Sequence, residues 1–204
     1  GFILDNHTEL QDHIADLVLG QPDFISSGSS VSISGLDTPR ALTVDAAGQR
    51  LFVADTFARR VLVYDLSLIT SGAAATNVLG QPNFTTSTTG TNSSKLGFVQ
   101  GVAFDPNSNR LLVSDFSNSR VMVYDTATIS NGEPAIAVLG QPDFISGTGS
   151  TTQSGLNSPT QLAANSAGTR LFVADSGNNR VIEFNVESIT DGENAVGVLG
   201  QSSY

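Results

Sequence analysis

The chain has 204 residues, 39% of them hydrophobic, with nineteen acidic and nine basic side chains and a formal net charge of −10. That charge argues against binding a phosphate backbone, where affinity comes from Lys and Arg neutralising phosphates, and no apolar run has the length that crosses a bilayer. The absence of Cys excludes disulfides, thiol nucleophiles and thiolate metal sites.

In chain order, the segment V-L-G-Q ends at Gln21, Gln81, Gln141 and Gln201, a constant spacing of 60 residues. A supersecondary unit that returns at fixed period sets the architecture before any single residue sets the function. The first elements are short apolar stretches at 1–5 and 17–20, which align with the third and fourth strands, C and D, of the later copies. Three complete copies follow. Strand A is predicted at 41–44, 101–104 and 161–164, strand B at 51–54 and its copies, strand C at 61–64 and its copies, and strand D at 78–80 and its copies. Their β-branched and aromatic residues suit a pleated, half-buried surface. Short turns join A to B, as in Asp45-Ala46-Ala47-Gly48-Gln49, and B to C, as in Ser176-Gly177-Asn178-Asn179. Gly and Asn there tolerate positive φ, so each pair of flanking runs reads as a hairpin. The C–D link is about a dozen residues, and a longer Ser/Thr/Gly loop leads from D to the next A.

Four antiparallel strands per repeat with a long connection between repeats predict an all-β fold of β-propeller blades. The expected blocks are a partial blade at 1–24 and full blades at 25–84, 85–144 and 145–204. About three and a half blades are too few to close a ring alone. Closure is expected either from further parts of a longer protein or from other chains through the blade faces. Glu183 stands where Val63 and Val123 stand in the other copies. It reads either as the polar face of a terminal repeat or as a strand position near solvent.

The segments PRALTVDAAGQRLFVADTFARRVLVYD, VQGVAFDPNSNRLLVSDFSNSRVMVYD and PTQLAANSAGTRLFVADSGNNRVIEFN resemble the NHL repeat, whose pattern ends in V-A-D-x-x-N-x-R-V. The resemblance covers all three full copies and implies an NHL-type propeller. As a family it hosts several activities, including amidating lyases and calcium-dependent lactonases that hold a metal in the central channel. The residues present do not reproduce the His ligands of the lyases in any full blade, and the inner strands carry Ala41, Thr43, Gly101, Ala103, Gln161 and Ala163. No cofactor is expected, with a channel Ca²⁺ as the exception that further blades would have to supply.

The repeat separates structural from functional residues. Arg50, Arg110 and Arg170, and Arg60, Arg120 and Arg180, return in every blade, with Asp45/Asp105 and Asp55/Asp115/Asp175 as expected partners. The unrepeated basic residues are Arg40, Arg59 and Lys95, all placed by the meander at the end that carries the B–C turns and D–A loops. Phe57 and Phe116 sit in B–C turns, and Phe98 and Gln100 replace small or basic residues of the other copies at the same end. Aromatic side chains grouped with Arg anchor binding surfaces, although the rings also have a structural reading, packed beneath the Ser/Thr loops. The candidate site is therefore Arg40, Phe57, Arg59, Lys95, Phe98, Gln100 and Phe116, binding a protein or glycan partner and no nucleic acid.

The C–D loops hold most of the unrepeated acids, including Glu133, Glu187, Asp191 and Glu193, so the opposite end is expected to be acidic. His7 and His13 lie in the first such loop, where a metal site with Glu9 or Asp12 competes with a plain solvated loop. Asn6, Asn83 and Asn92 begin N-x-S/T patterns, which carry meaning only in a eukaryotic secretory context. The expected function is a non-catalytic interaction or structural module, extracellular or periplasmic; the alternative is part of a propeller lyase or hydrolase whose metal and catalytic residues lie in other blades.

Overall fold

A computed structural model describes residues 15–204. Twelve strands form three separate four-stranded sheets, each an antiparallel meander in sequence order. Blade 1 comprises β1 (Pro39–Asp45), β2 (Arg50–Asp55), β3 (Arg60–Asp65) and β4 (Asn77–Leu79). Blade 2 comprises β5 (Val99–Asp105), β6 (Arg110–Asp115), β7 (Arg120–Asp125) and β8 (Ala137–Leu139). Blade 3 comprises β9 (Pro159–Ala164), β10 (Arg170–Asp175), β11 (Arg180–Asn185) and β12 (Gly197–Leu199). The expected all-β architecture of four-stranded blades is what the chain adopts, and among the described residues the three sheets stay separate.

Two details of the strands differ from the sequence reading. The fourth strand begins and ends one residue early, because Gly80, Gly140 and Gly200 have φ of +80°, +85° and +93° and turn the chain out of the ladder. A Cβ on Gly80 would lie 2.3 Å from Cδ1 of buried Leu96, so the position is closed to larger residues on both counts. The second difference concerns the first partial blade. Its strand C at 1–5 lies outside the described residues, and 17–20 form no strand but a single bridge from Gly20 to Gly35. Residues 17–20 nevertheless occupy the place of a fourth strand: Gly72 N–H donates to Val18 O at 2.9 Å, as Gly132 donates to Val78 O and Gly192 to Val138 O.

Strand A carries a register shift in each blade, between Pro39 and Ala41, between Val99 and Gly101, and opposite Val173/Asp175. The extra residue of such a bulge is unpaired and its side chain is re-aimed. These bulge residues are Arg40, Gln100 and Thr160.

The blades pack face to face. Phe52, Ala54, Val61, Val63 and Leu79 of blade 1 meet Val102, Leu111, Val113, Met122 and Val138 of blade 2 in one cluster. The Phe52 and Phe104 rings stack across it at 5.7 Å and 22°. Leu112, Val121, Val123 and Leu139 of blade 2 meet Leu171, Val173, Ile182 and Phe184 of blade 3 in a second. Each of the Val, Leu, Ile, Met and Phe side chains contributes about 1.5–3 kcal/mol by leaving water, so the two interfaces hold the arc together. Polar latches reinforce them at the rim. Arg50 Nη1 donates to Thr126 O at 2.6 Å and Arg110 Nη1 to Val186 O at 3.0 Å, each crossing to the next blade. Asn131 Oδ1 and Asp191 Oδ1 accept from Val78 N and Val138 N of the preceding blade. Arg50 also pairs with Asp45 at 2.6 Å as expected. Asp105 instead accepts from Asn107 N and from the Ser108 hydroxyl, so this pairing is not a repeated one.

Candidate binding surface at the B–C turns

Beneath each B–C turn lies a buried ion pair. Arg60, Arg120 and Arg180 Nε stand 2.7, 2.9 and 2.7 Å from Oδ2 of Asp55, Asp115 and Asp175, with no side-chain exposure on either partner. Oδ1 of each Asp accepts a backbone N–H from the D–A loop, from Asp37, Gly97 and Asn157. The guanidinium groups donate to D–A loop carbonyls, as Arg180 does to Thr151, Thr152 and Gly155. One ion pair per blade therefore positions the B–C turn against its D–A loops, a structural task that satisfies almost every donor the buried guanidinium has. Burial pushes the Asp55 and Asp115 carboxyls above their usual range, working against the adjoining Arg and N–H groups.

The three turns share one backbone and differ in side chains. The last turn residue, Arg59, Ser119 or Asn179, is left-handed in every blade, with φ of 55°, 51° and 54°. Blades 2 and 3 support the turn with Asn118 and Asn178, whose Nδ2 donates to the buried Asp Oδ2 at 2.8 Å. Blade 1 has Ala58 in that place, fully buried, and a left-handed Arg where the others have Ser119 and Asn179.

That irregular turn carries a side-chain cluster. The Arg59 guanidinium lies 4.8 Å from the centroid of the Phe98 ring, and the Phe57 and Phe98 rings stand 5.4 Å apart at 57°. Both are attractive geometries. Arg59 Nη1 also donates to Ser87 O at 2.9 Å and Phe57 O at 3.1 Å, which fixes the head group over the ring. Phe57 is 46% exposed. A phenyl ring this open gains nothing from the core, and the reading in which it packs beneath the Ser/Thr loops does not describe it.

Of the seven candidate residues the structure thus brings Phe57, Arg59 and Phe98 into direct contact. Lys95 joins through the loop: its Nζ donates to Thr88 Oγ1 at 2.6 Å, one residue from the Arg59 acceptor. Phe116 is tied by backbone, its N–H donating to Phe98 O at 2.9 Å. Arg40 and Gln100 sit on the strand-A bulges, Arg40 exposed and Gln100 half-buried, outside the stacked cluster.

Lys95 also has a packing role that its charge conceals. A Cβ on Gly90 would lie 3.0 Å from Lys95 Cβ and Cγ, whereas Cβ atoms on Gly35 and Gly155 would lie 2.5 and 2.6 Å from Ser30 and Ser150 Cβ. Blades 1 and 3 therefore pair Ser with Gly, and blade 2 pairs Gly90 with Lys95. Gly90→Ser alone is expected to cost about 1 kcal/mol or more by overpacking, and Gly90→Ser/Lys95→Gly to return near wild-type stability; urea unfolding of the two variants tests the coupling. Sequence reasoning missed Ser87 and Thr88, whose carbonyl and hydroxyl seat the two cations; no periodic signal marks them. Among the described residues no group of three or more His, Asp or Glu lies close enough to hold a metal ion.

No protein-family profile matches the chain, and no curated protein matches it either. Solved structures do. One, titled "Crystal structure of Nidogen/Laminin Complex", superposes with a TM-score of 0.55 at 19% identity, over 82% of this chain and 49% of the other. The chain therefore spans about half the length of that solved protein. At this identity the likeness concerns the fold, and together with the three meanders it defines the class: an arc of β-propeller blades.

Proposed function

We propose that this chain is a non-catalytic interaction module of the NHL propeller type that acts outside the cytoplasm and binds a protein partner. The binding surface is the end of the arc formed by the B–C turns and D–A loops. Phe57, Arg59 and Phe98 are its anchor, with Arg40, Lys95, Gln100 and Phe116 around it. The observation that carries this reading is the Phe57–Phe98–Arg59 stack, which joins the exposed turn of blade 1 to the D–A loop of blade 2 and has no counterpart between blades 2 and 3. A repeated feature answers to the repeat; an unrepeated one, built on a left-handed Arg, costs the fold something and calls for another reason to exist. An open ring beside a stacked guanidinium suits a partner that offers an apolar side chain flanked by a carboxylate. The similar solved structure is by its title that of a protein complex, which supports the reading by analogy of fold alone.

The test uses the immobilised chain against a panel of extracellular proteins and against a glycan array. Capture of a protein by the wild-type chain, lost in Phe57→Ala/Arg59→Asn, is the expected result. Capture on the glycan array alone would change the partner class, and equal capture by both forms would remove the site. Arg59→Asn is a clean probe, because Asn179 holds the same left-handed position in blade 3. Its thermal stability is expected to stay within about 1 kcal/mol of wild type while the cation–π contact is lost.

A further inference from the structure

The outer strand of blade 1 is fastened by a turn in the C–D loop of blade 2. Asn131 Oδ1 accepts from Val78 N–H at 3.1 Å, and Gly132 N–H donates to Val78 O at 2.9 Å. One dipeptide thus clasps both backbone hydrogen-bonding groups of one β4 residue. Blade 3 fastens blade 2 in the same way. Asp191 Oδ1 accepts from Val138 N at 2.9 Å, and Gly192 N–H donates to Val138 O at 3.2 Å. Ser71 Oγ and Gly72 N–H make the same pair of bonds to Val18.

The two positions of the clasp answer to different demands. The second must be glycine. Gly72, Gly132 and Gly192 have φ of +70°, +70° and +68°, and a Cβ on Gly132 would lie 2.8 Å from Pro82 Cα. The first needs only an acceptor oxygen, which Ser71, Asn131 and Asp191 supply alike. Of the three, Asn131 alone brings a carboxamide, and Asn131-Gly132 is the one Asn-Gly step in the sequence. Asn is a chemically labile residue, and a following glycine leaves its backbone nitrogen unhindered. The Gly132 nitrogen can add to Cγ of Asn131, its proton passing through solvent to the departing amide nitrogen. The Cγ–Nδ2 bond then breaks, ammonia leaves and a five-membered succinimide closes. Water adds to one of the two ring carbonyls, and the ring opens to aspartate or to isoaspartate. No oxidant or reductant takes part.

We propose that Asn131-Gly132 is a deamidation site, held dormant while β4 is clasped, and that its isoaspartate product leaves the outer edge of blade 1 unfastened from blade 2. In the closed clasp Gly132 N–H is committed to Val78 O, and Asn131 Oδ1 is drawn towards Val78 N–H and Asn77 Nδ2. The nitrogen attacks only after leaving that bond, so the reaction waits on local opening of the edge. Asn131 is exposed, and water reaches the ring once it forms. The two products have unlike consequences. Aspartate reproduces the arrangement of Asp191, and the clasp closes again. Isoaspartate runs the main chain through Cβ and Cγ, one carbon longer, so residues 131 and 132 no longer meet both groups of Val78.

Mass mapping of the full chain, aged in mildly alkaline buffer both folded and in denaturing urea, tests the proposal by following ammonia loss at each Asn. In urea Asn131 should convert ahead of every other Asn. In the folded chain it should convert at least about tenfold more slowly, a factor that two ordinary hydrogen bonds supply. Arg50→Met frees Thr126 O, another tie between blade 1 and this C–D loop, and should speed the folded-state reaction without changing the rate in urea. Arg110→Met loosens the matching tie between blades 2 and 3 and should leave both rates as they are. By hydrogen exchange, Asn131→Asp should keep the protection of Val78 and Gly132, and the aged isoaspartate chain should lose it at both. Equal rates in the folded and unfolded chain, another Asn converting first in urea, equal responses to the two Arg variants, or an isoaspartate chain with both amides still protected would each overturn it.

Discussion

Arg120→Met is expected to lower the stability of the fold by about 3–5 kcal/mol, the range seen when one partner of a buried ion pair is removed. Arg120 has no solvent exposure and makes five hydrogen bonds. Nε donates to Asp115 at 2.9 Å; Nη1 donates to Phe144 O at 2.6 Å and Thr91 O at 3.3 Å; Nη2 donates to Lys95 O at 2.9 Å and Asn92 O at 3.4 Å. Met keeps much of the volume and none of the donors. The loop carbonyls on both sides of blade 2 lose their tie, and Asp115 stays buried with only Gly97 N–H and the Asn118 amide against it. Arg50→Met provides the scale. That guanidinium is 22% exposed beside Asp45, so screening brings its loss down to about 1 kcal/mol.

The pH dependence of this variant has a definite sign. Burial already holds the Asp115 carboxyl above its usual range, and loss of the cation raises it further. A carboxyl whose folded pKa lies above its unfolded value binds more protons in the folded state, so the variant loses stability as pH rises from the unfolded to the folded pKa. The deficit relative to wild type should therefore be full at neutral pH and shrink as pH falls into the carboxylate range. Asp115→Leu/Arg120→Met should recover part of the loss at neutral pH, because it removes the uncompensated charge along with its partner. Urea unfolding of the four proteins at two pH values checks each step.

These buried pairs also mark how far the sequence could be read. Residues that return every 60 positions named the blade, the four strands and the Asp–Arg pairs, because packing imposes the same demand on each copy. The register shift in strand A was invisible. A bulge depends on how the inner strand meets the next blade, and nothing local separates Arg40, Gln100 or Thr160 from ordinary strand residues. The candidate surface was legible in part. Phe57, Arg59 and Phe98 stood out as departures from the repeat, and they are the three that touch. Which departures meet is a matter of loop geometry, and Lys95 shows the limit. Its charge suggested a surface role, while its stem fills the space that Ser30 and Ser150 take in the other blades. The C–D loop acids show the same limit from the other side. Glu133 and Glu193 accept from Ser130 N and Thr190 N, and Asp191 accepts from the preceding blade, so part of the acidity expected of a solvated end serves to hold backbone.

The second large effect is expected at Gly101. A Cβ built there lies 2.2 Å from Thr160 O and 3.2 Å from Gln161 Cα, both backbone atoms of β9 in the next blade. No rotamer change relieves a clash with backbone, so Gly101→Val must push blade 3 away from blade 2. Overpacking of this kind costs about 1–3 kcal/mol, and here the displacement also opens a polar bridge. Gly101 N–H donates to Ser114 Oγ at 2.7 Å, and that hydroxyl donates to Thr160 O at 2.6 Å, linking the inner strands of the two blades through one buried Ser. Ser114→Ala alone should cost about 1 kcal/mol for the lost bridge. The two substitutions should cost less together than the sum of their separate effects, because Gly101→Val already breaks what Ser114 joins. The location of the damage is the stronger test. In an array where each blade touches only its neighbours, weakening one interface uncouples the part beyond it rather than softening the whole. Hydrogen exchange of Gly101→Val should show β9–β12 losing protection while β1–β4 keep theirs. Uniform loss across all three blades would mean that the arc folds as one cooperative unit, with its stability not divisible at the blade 2–3 contact.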